Sequence, residues 1–359
     1  RGEGMLWLWA TGADNITLSG QGIIDGNGIA FMGSELDDSY ELKPLANPKF
    51  DPRPHVLTFF GCQNLEIQGI TVQNGAYWTI HLVGCDGAKI HDMSLLNQLK
   101  IRNGDGIDLD HTSNVEIWNC LIESGDDCIC LKNRREYSEA NGQWAMLSNK
   151  CQHIRVRNCV MTGRSCAIKI GSENMDSISD VVFDHCIIRA SNRALGIQNR
   201  DEGTVSDVTF QNIQLESWLF SDVWWGKAEP IYVTSYPRAV GNHKDAGWRF
   251  PRGATEGRCG EVSHITFRHI DGVSENGCFV GGDVPGKVRD IHFDDVSLIL
   301  RRHTGYPLGV YDKRPCLGEG FVTGKTYGLV TDNADVYTCR FEVTLDQNFP
   351  AEQYGGAQK

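Results

Sequence analysis

No stretch of about 18 consecutive apolar residues occurs in this 359-residue chain, so it carries no transmembrane helix. Net positive charge is missing too. Thirty-four Lys and Arg face 46 Asp and Glu, a formal charge of −12, which argues against nucleic acid as a partner. A polyanionic ligand would need a locally basic cleft. Proline is scarce, 11 residues against 40 glycines, so tight turns outnumber linkers. No CxxC pair stands at zinc-site spacing from another, which discounts a metal site; no cofactor is expected. The thirteen cysteines cannot all pair with one another. Cys62, Cys85, Cys120, Cys151, Cys159 and Cys186 fall at similar places in successive repeats and read as buried small hydrophobes. A few disulfides stay open as an alternative if the protein is exported. The chain starts at Arg1 without an initiator methionine or signal peptide. The expectation is that an N-terminal part precedes it and that the protein is secreted or periplasmic.

What the sequence does have is a repeat. A polar pair followed by a short alternating strand occurs at Asp14–Leu18, Gln63–Ile67, Ser113–Ile117 and Gln152–Val156. It returns at Ser179–Phe183, Ser206–Phe210, Ser263–Phe267 and Arg289–Phe293, with a weaker copy at Gly87–Ile90. Neighbouring copies often lie about 23 to 27 residues apart, and apolar residues alternate with polar ones, which is strand periodicity. The leucine pattern of leucine-rich repeats is absent, and a propeller blade needs about 40 residues or more. The reading is an all-β, right-handed parallel β-helix forming a single domain over residues 1–359. The repeat breaks near 27–54 and near 218–260, where Trp224, Trp225 and Trp248 lie. These insertions are either functional rims or covers for the side of the solenoid. The stretch from about 304 onward is expected to cap the end.

Two acidic clusters stand out, Asn103-Gly104-Asp105-Gly106-Ile107-Asp108 and Gly125-Asp126-Asp127-Cys128. Asp105 and Asp126 are 21 residues apart, close to one coil, which places them on adjacent coils of one sheet. Glycine beside each lets the backbone turn sharply and a ligand approach. Like charges this close raise at least one pKa, and one protonated with one ionised carboxyl is what glycosidic hydrolysis requires. Calcium binding and solvated turns are the other readings of the same clusters.

The chain resembles family 28 of the glycoside hydrolases, the polygalacturonase-like pectinases. Asn103 to Asp108 is similar to the family's Asn-Thr-Asp-Gly-x-Asp motif, with Gly104 in place of Thr. Gly125 to Cys128 matches its Gly/Gln-Asp-Asp-Cys motif in full, and Ile23 to Gly28 looks like its Ile-Asp-Gly-x-Gly turn. Arg53-Pro54, Trp78 and His81 fit its pattern as well, and the likeness runs from about residue 13 to about 300. The resemblance implies an inverting hydrolase of a pectic polysaccharide or oligosaccharide. Asp126 would be the general acid; Asp105 and Asp127 would activate the water. An inverting pair needs carboxyls about 6.5–9.5 Å apart. Asn103, Asp108 and His81 would help hold the sugar, with His81 equally readable as a structural histidine.

Two departures bear on substrate. Cys166 stands where polygalacturonases carry histidine, as in members acting on rhamnogalacturonan. Gly196-Ile197-Gln198 replaces an Arg-Ile-Lys whose two cations hold a galacturonate carboxylate. Gln198 is neutral, so rhamnogalacturonan or another non-standard galacturonan is expected over plain polygalacturonan. Lys169, Arg193 and Arg200 either supply charge from new directions or are solvated surface cations. Trp78, Trp224 and Trp225 either stack on sugar or pack onto the body. The alternatives are a β-helix polysaccharide lyase using Lys132 or Lys169 as base, and a non-catalytic carbohydrate-binding β-helix.

Overall fold

The computed structural model describes residues 5–37, 39, 41–45, 52–137, 150–238, 258–324 and 326–355. The polar pairs that open the repeats have a backbone reason. The second member of each pair lies in the left-handed region: Asn15, Asn64, Asn114, His153, Asp180, Asp207, His264 and Asp290 have φ between 54° and 58°. In the weaker copy Gly87 takes this place at 76°. Asn, Asp and His tolerate that conformation better than most non-glycine residues. Each one turns the chain into a strand whose alternate residues point inward.

The result is a right-handed parallel β-helix, as the repeat predicts. Its first sheet has ten strands in chain order. They are β1 (Leu6–Thr11), β2 (His55–Phe60), β3 (Ile80–Val83), β4 (Ile107–Asp110), β5 (Ile129–Asn133), β6 (Cys166–Asn174), β7 (Arg193–Asn199), β8 (Ile231–Ser235), β9 (Cys278–Gly282) and β10 (Leu329–Asp332). Every neighbouring pair is parallel. A second sheet of sixteen strands closes the coil.

Register sets both faces of the first sheet. Ile80, Ile107, Ile129, Ile168, Leu195 and Ile231 stack inward, all buried. Stacked residues one coil apart sit about 4.8 Å from each other, the strand spacing. Phe183, Phe210, Phe267 and Phe293 form such a ladder, with ring centroids 5.2, 5.0 and 5.1 Å apart. All thirteen cysteines are unpaired, and the six in the repeats are buried in the core. On the outward face His81, Asp108, Cys130, Lys169, Gly196 and Tyr232 share one row.

Three segments cover that outward face. Part of the first insertion folds as a hairpin, Met32–Leu36 with Leu42–Pro44, tied down where Leu42 N–H donates to the Lys100 carbonyl at 2.8 Å. Of the second insertion, residues 218–230 contribute, while 231–235 are β8 itself, so the repeat resumes inside the expected break; Trp248 falls outside the described residues. A strap contributes a second hairpin, Val310–Asp312 with Phe321–Thr323. Beyond the strap, Leu329–Asp332 and Ala334–Leu345 extend both sheets.

Candidate active site

The acidic residues stand just before β4 and β5, where the chain enters the first sheet. Glycines make this entry possible. A Cβ on Gly106 would lie 2.3 Å from the Cys128 carbonyl oxygen, and one on Gly125 would lie 2.2 Å from that of Ile101. The Ser124 hydroxyl donates toward the carbonyls of Gly104 and Asp127, 2.8 Å from each, and accepts from Asp126 N–H at 3.2 Å. This one side chain ties the two acidic segments together.

Ile107 pairs with Ile129, so on the adjacent coil it is Asp127, not Asp126, that comes into register with Asp105. The hydrogen bond from Gly106 N–H to the Asp127 carbonyl, 2.8 Å, fixes that register. Asp126 projects beside the pair. Oxygens of Asp105, Asp126 and Asp127 all lie within 4.8 Å of one another.

The three residues are 3%, 7% and 2% exposed. Their partners differ. Asp126 Oδ2 accepts one bond, from Asn103 N–H at 3.1 Å. Asp127 Oδ1 accepts from Cys166 N–H at 3.1 Å, and its Oδ2 lies 2.7 Å from Lys169 Nζ. Asp105 Oδ1 has no hydrogen-bond partner among the described residues. Burial, then the Asp127 charge, pushes Asp126 up to about 7. Burial, reinforced by Asp126 and Asp108, drives Asp105 well above the carboxylate range. The cluster thus keeps a proton at neutral pH, and that proton belongs to a coupled pair rather than to one residue.

Asp108 is fully buried and paired with Lys132 Nζ at 2.6 Å; that ammonium also lies 3.8 Å from the centre of the Trp78 ring. Burial, the largest single influence, opposes the charged form of Lys132, but the negative groups around it, Asp108 foremost, together outweigh it and raise its pKa. Lys169 is likewise driven up by Asp127 against the effect of burial. Three carboxylates this close are also natural donors to a divalent cation. Here Lys169 already answers Asp127, and we assign no metal ligand.

The other expected contacts are placed differently. His81 is buried behind Trp78 (ring centroids 4.9 Å), stacked on His55 at 5.4 Å, and 3.7 Å from Asp110. Burial lowers its pKa. Its place is that of a structural histidine. Gln198 Nε2 donates to the Arg314 carbonyl at 2.9 Å, underneath the strap. Arg193 grips Glu229 with two bonds of 3.0 Å and donates to the carbonyls of Trp225 and Asp312. Arg200, fully buried, donates to the Lys313 carbonyl at 2.8 Å. Neither arginine is a solvated surface cation or a free sugar contact; both anchor the strap. Trp224 is half-buried, and its carbonyl accepts from Lys227 Nζ at 2.7 Å. The changes at 166 and 196 are linked, because a Cβ on Gly196 would lie 2.8 Å from Cys166 Sγ.

Sequence reasoning missed two contributors. Glu41, from the first hairpin, is buried 3.2 Å from Arg102, and its charge bears on Asp126. The backbone N–H of Cys166 is the other. No local pattern marks Glu41, which is over sixty residues from its partner. The Cys166 N–H follows only once β6 is known to lie beside β5.

The sequence profile of the Glycosyl hydrolases family 28 matches residues 2–220, more than half of the chain. A probable polygalacturonase of Arabidopsis thaliana is 26% identical over 223 residues, 60% of this chain and 42% of its own length. A probable polygalacturonase of Vitis vinifera is 29% identical over 175 residues, 47% of this chain and 34% of its own. The chain therefore spans less than half the length of these curated relatives. Among solved structures, an exopolygalacturonase from Thermotoga maritima superposes with a TM-score of 0.62 at 14% identity, covering 96% of this chain and 73% of that one. A polygalacturonase from Erwinia carotovora gives 0.61 at 18% identity, covering 92% and 73%. At these identities the likeness speaks for the fold.

Proposed function

The chain belongs to family 28 of the glycosyl hydrolases, and from that premise we propose that it hydrolyses a glycosidic bond in a pectic polysaccharide or oligosaccharide. The observation that carries this reading is the unequal state of three carboxyls packed within 4.8 Å. One has an ammonium at 2.7 Å, and another is pushed up to about 7. A site needs such an inequality to donate a proton and activate water at one pH.

Asp126 donates its proton to the leaving oxygen. Asp105 and Asp127, in register one coil apart, share the attacking water. A water about 2.8 Å from each of two oxygens spans a gap of up to roughly 5 Å. The spacing of these oxygens therefore suits a shared water. The reading keeps inversion as its stereochemistry. It places the enzyme where such polymers occur, outside the cytoplasm.

The substrate we favour is rhamnogalacturonan-type or another non-standard galacturonan. Support comes from the row beyond Lys169. Gly196 offers no side chain there, and the Gln198 amide is spent on the strap. A lyase reading is weaker, because its base must be neutral while Lys132 and Lys169 are both held protonated by aspartates. The test is reducing-end release on polygalacturonan, rhamnogalacturonan backbone and oligosaccharides ending in rhamnose or galacturonate. Release from a rhamnose-containing substrate with polygalacturonan untouched is expected. Vigorous cleavage of polygalacturonan refutes the substrate assignment, and silence on the whole panel refutes the hydrolase reading.

A further inference from the structure

We propose that Lys169 is a positioning residue that holds Asp127 as a carboxylate and thereby confines the cluster's proton to Asp105 and Asp126. This rests on the hydrolase reading above. The geometry is specific. Lys169 lies on the outward face of β6, opposite Cys130 on one side and Gly196 on the other. Its side chain reaches back one coil, placing Nζ 2.7 Å from Asp127 Oδ2. The second oxygen of Asp127 accepts from Cys166 N–H, on the same strand. Both ends of the carboxylate are thus held by β6, a rigid element at the centre of the sheet. Gly196 presents no competing side chain to the ammonium.

The surrounding charges leave this task to Lys169. Asp105 and Asp126 crowd Asp127 within the cluster, and Asp108 adds a third negative neighbour. Lys132 is paired with Asp108 at 2.6 Å. Glu41, from the hairpin, adds negative charge near Asp126. The buried thiols of Cys128, Cys130 and Cys166 line the remaining sides and are all pushed upward, first by burial, so they stay neutral. With the Lys169 side chain 21% exposed and that of Asp127 2% exposed, the ammonium faces the open side and the carboxylate does not. An ammonium at this range, in a place almost closed to water, is a direct partner for the carboxylate. Without it, Asp127 competes for the proton that the leaving oxygen needs.

The experiment compares wild type, Lys169→Gln and Lys169→Arg. kcat and KM are followed across pH on whichever panel substrate the wild type cleaves best. For Lys169→Gln the acid limb of kcat moves up by about one unit or more, and kcat at the wild-type optimum falls about tenfold, while KM holds. Lys169→Arg restores the profile. A loss with an unshifted profile, or a raised KM with unchanged kcat, overturns the inference; the latter would make Lys169 a sugar contact. A second measurement needs no turnover. Chemical unfolding of wild type and Lys169→Gln is compared from pH 4 to 8. A stability deficit that grows as pH rises supports the pairing, since only a charged Asp127 misses its partner. A deficit that is flat with pH refutes it. A wild type silent on every substrate would sink the hydrolase reading, and the unfolding comparison would still decide the role of Lys169.

Discussion

Two buried charge clusters occupy the same face of the same sheet, two coils apart, and they are built on opposite terms. Around Asp127, three carboxyls crowd together against one ammonium, and Asp105 is left with an oxygen that has no hydrogen-bond partner. Around Arg193, the guanidinium meets both oxygens of Glu229, two carbonyls and the face of Tyr232 at 3.6 Å. The arginine cluster is satisfied and pins the strap. The acid cluster is frustrated, and frustration of this kind marks places where chemistry outranks stability. The difference teaches that burial and charge alone do not mark a site; what sets the acid cluster apart is three like charges crowded against a single counter-charge.

The comparison breaks most sharply under substitution of Asp126. Asp126→Asn should lower kcat by roughly 10³-fold, near the middle of the range for a lost general acid, while calorimetric binding of an oligosaccharide persists. A protein that only binds sugar would be indifferent. The second contrast is in stability. Glu229→Gln should cost about 3–5 kcal/mol in chemical unfolding, because it strands Arg193 in a buried place. Asp105→Asn should instead stabilise the fold by about 0.5–2 kcal/mol while lowering activity. Loss of stability in both would mean that the acid cluster is as well satisfied as the other.

The pH dependence sharpens the same contrast. Asp126 is raised from 3.8 to about 7 in the folded protein, so between those values the folded state binds more protons than the unfolded one. Its contribution to stability is therefore lost progressively as pH rises from about 4 to 7. Activity should fall as pH passes through about 7, where the donor loses its proton. In Asp126→Asn the fall in stability over that window should flatten, as read by thermal unfolding at several pH values. The smallest effect is expected at the strap. Gln198→Ala removes one bond to the Arg314 carbonyl, should cost about 1 kcal/mol, and should leave the order of substrates on the panel unchanged.

The coil architecture was legible because it is local. Each polar pair marks a left-handed residue, and each alternating strand follows it. Asp105, Asp126 and Asp127 were legible through their motifs and through glycines that only close backbone contacts explain. Their stacking order was not, since a one-residue choice of register decides whether Asp105 faces Asp126 or Asp127. The fates of Arg193, Gln198 and Arg200 were hidden for a different reason. Their partners Asp312, Arg314 and Lys313 lie more than a hundred residues away in an irregular strap, and nothing at either end signals the pairing.

In the proposed reaction a water lodged between Asp105 and Asp127 attacks the sugar directly. The most direct measurement is the anomeric configuration of the first-formed reducing sugar, followed by proton NMR during cleavage of the best panel substrate. Direct attack by this water gives a product whose configuration is opposite to that of the bond cleaved. Retention of configuration would contradict it, and would mean that one of these closely spaced carboxylates is itself the nucleophile.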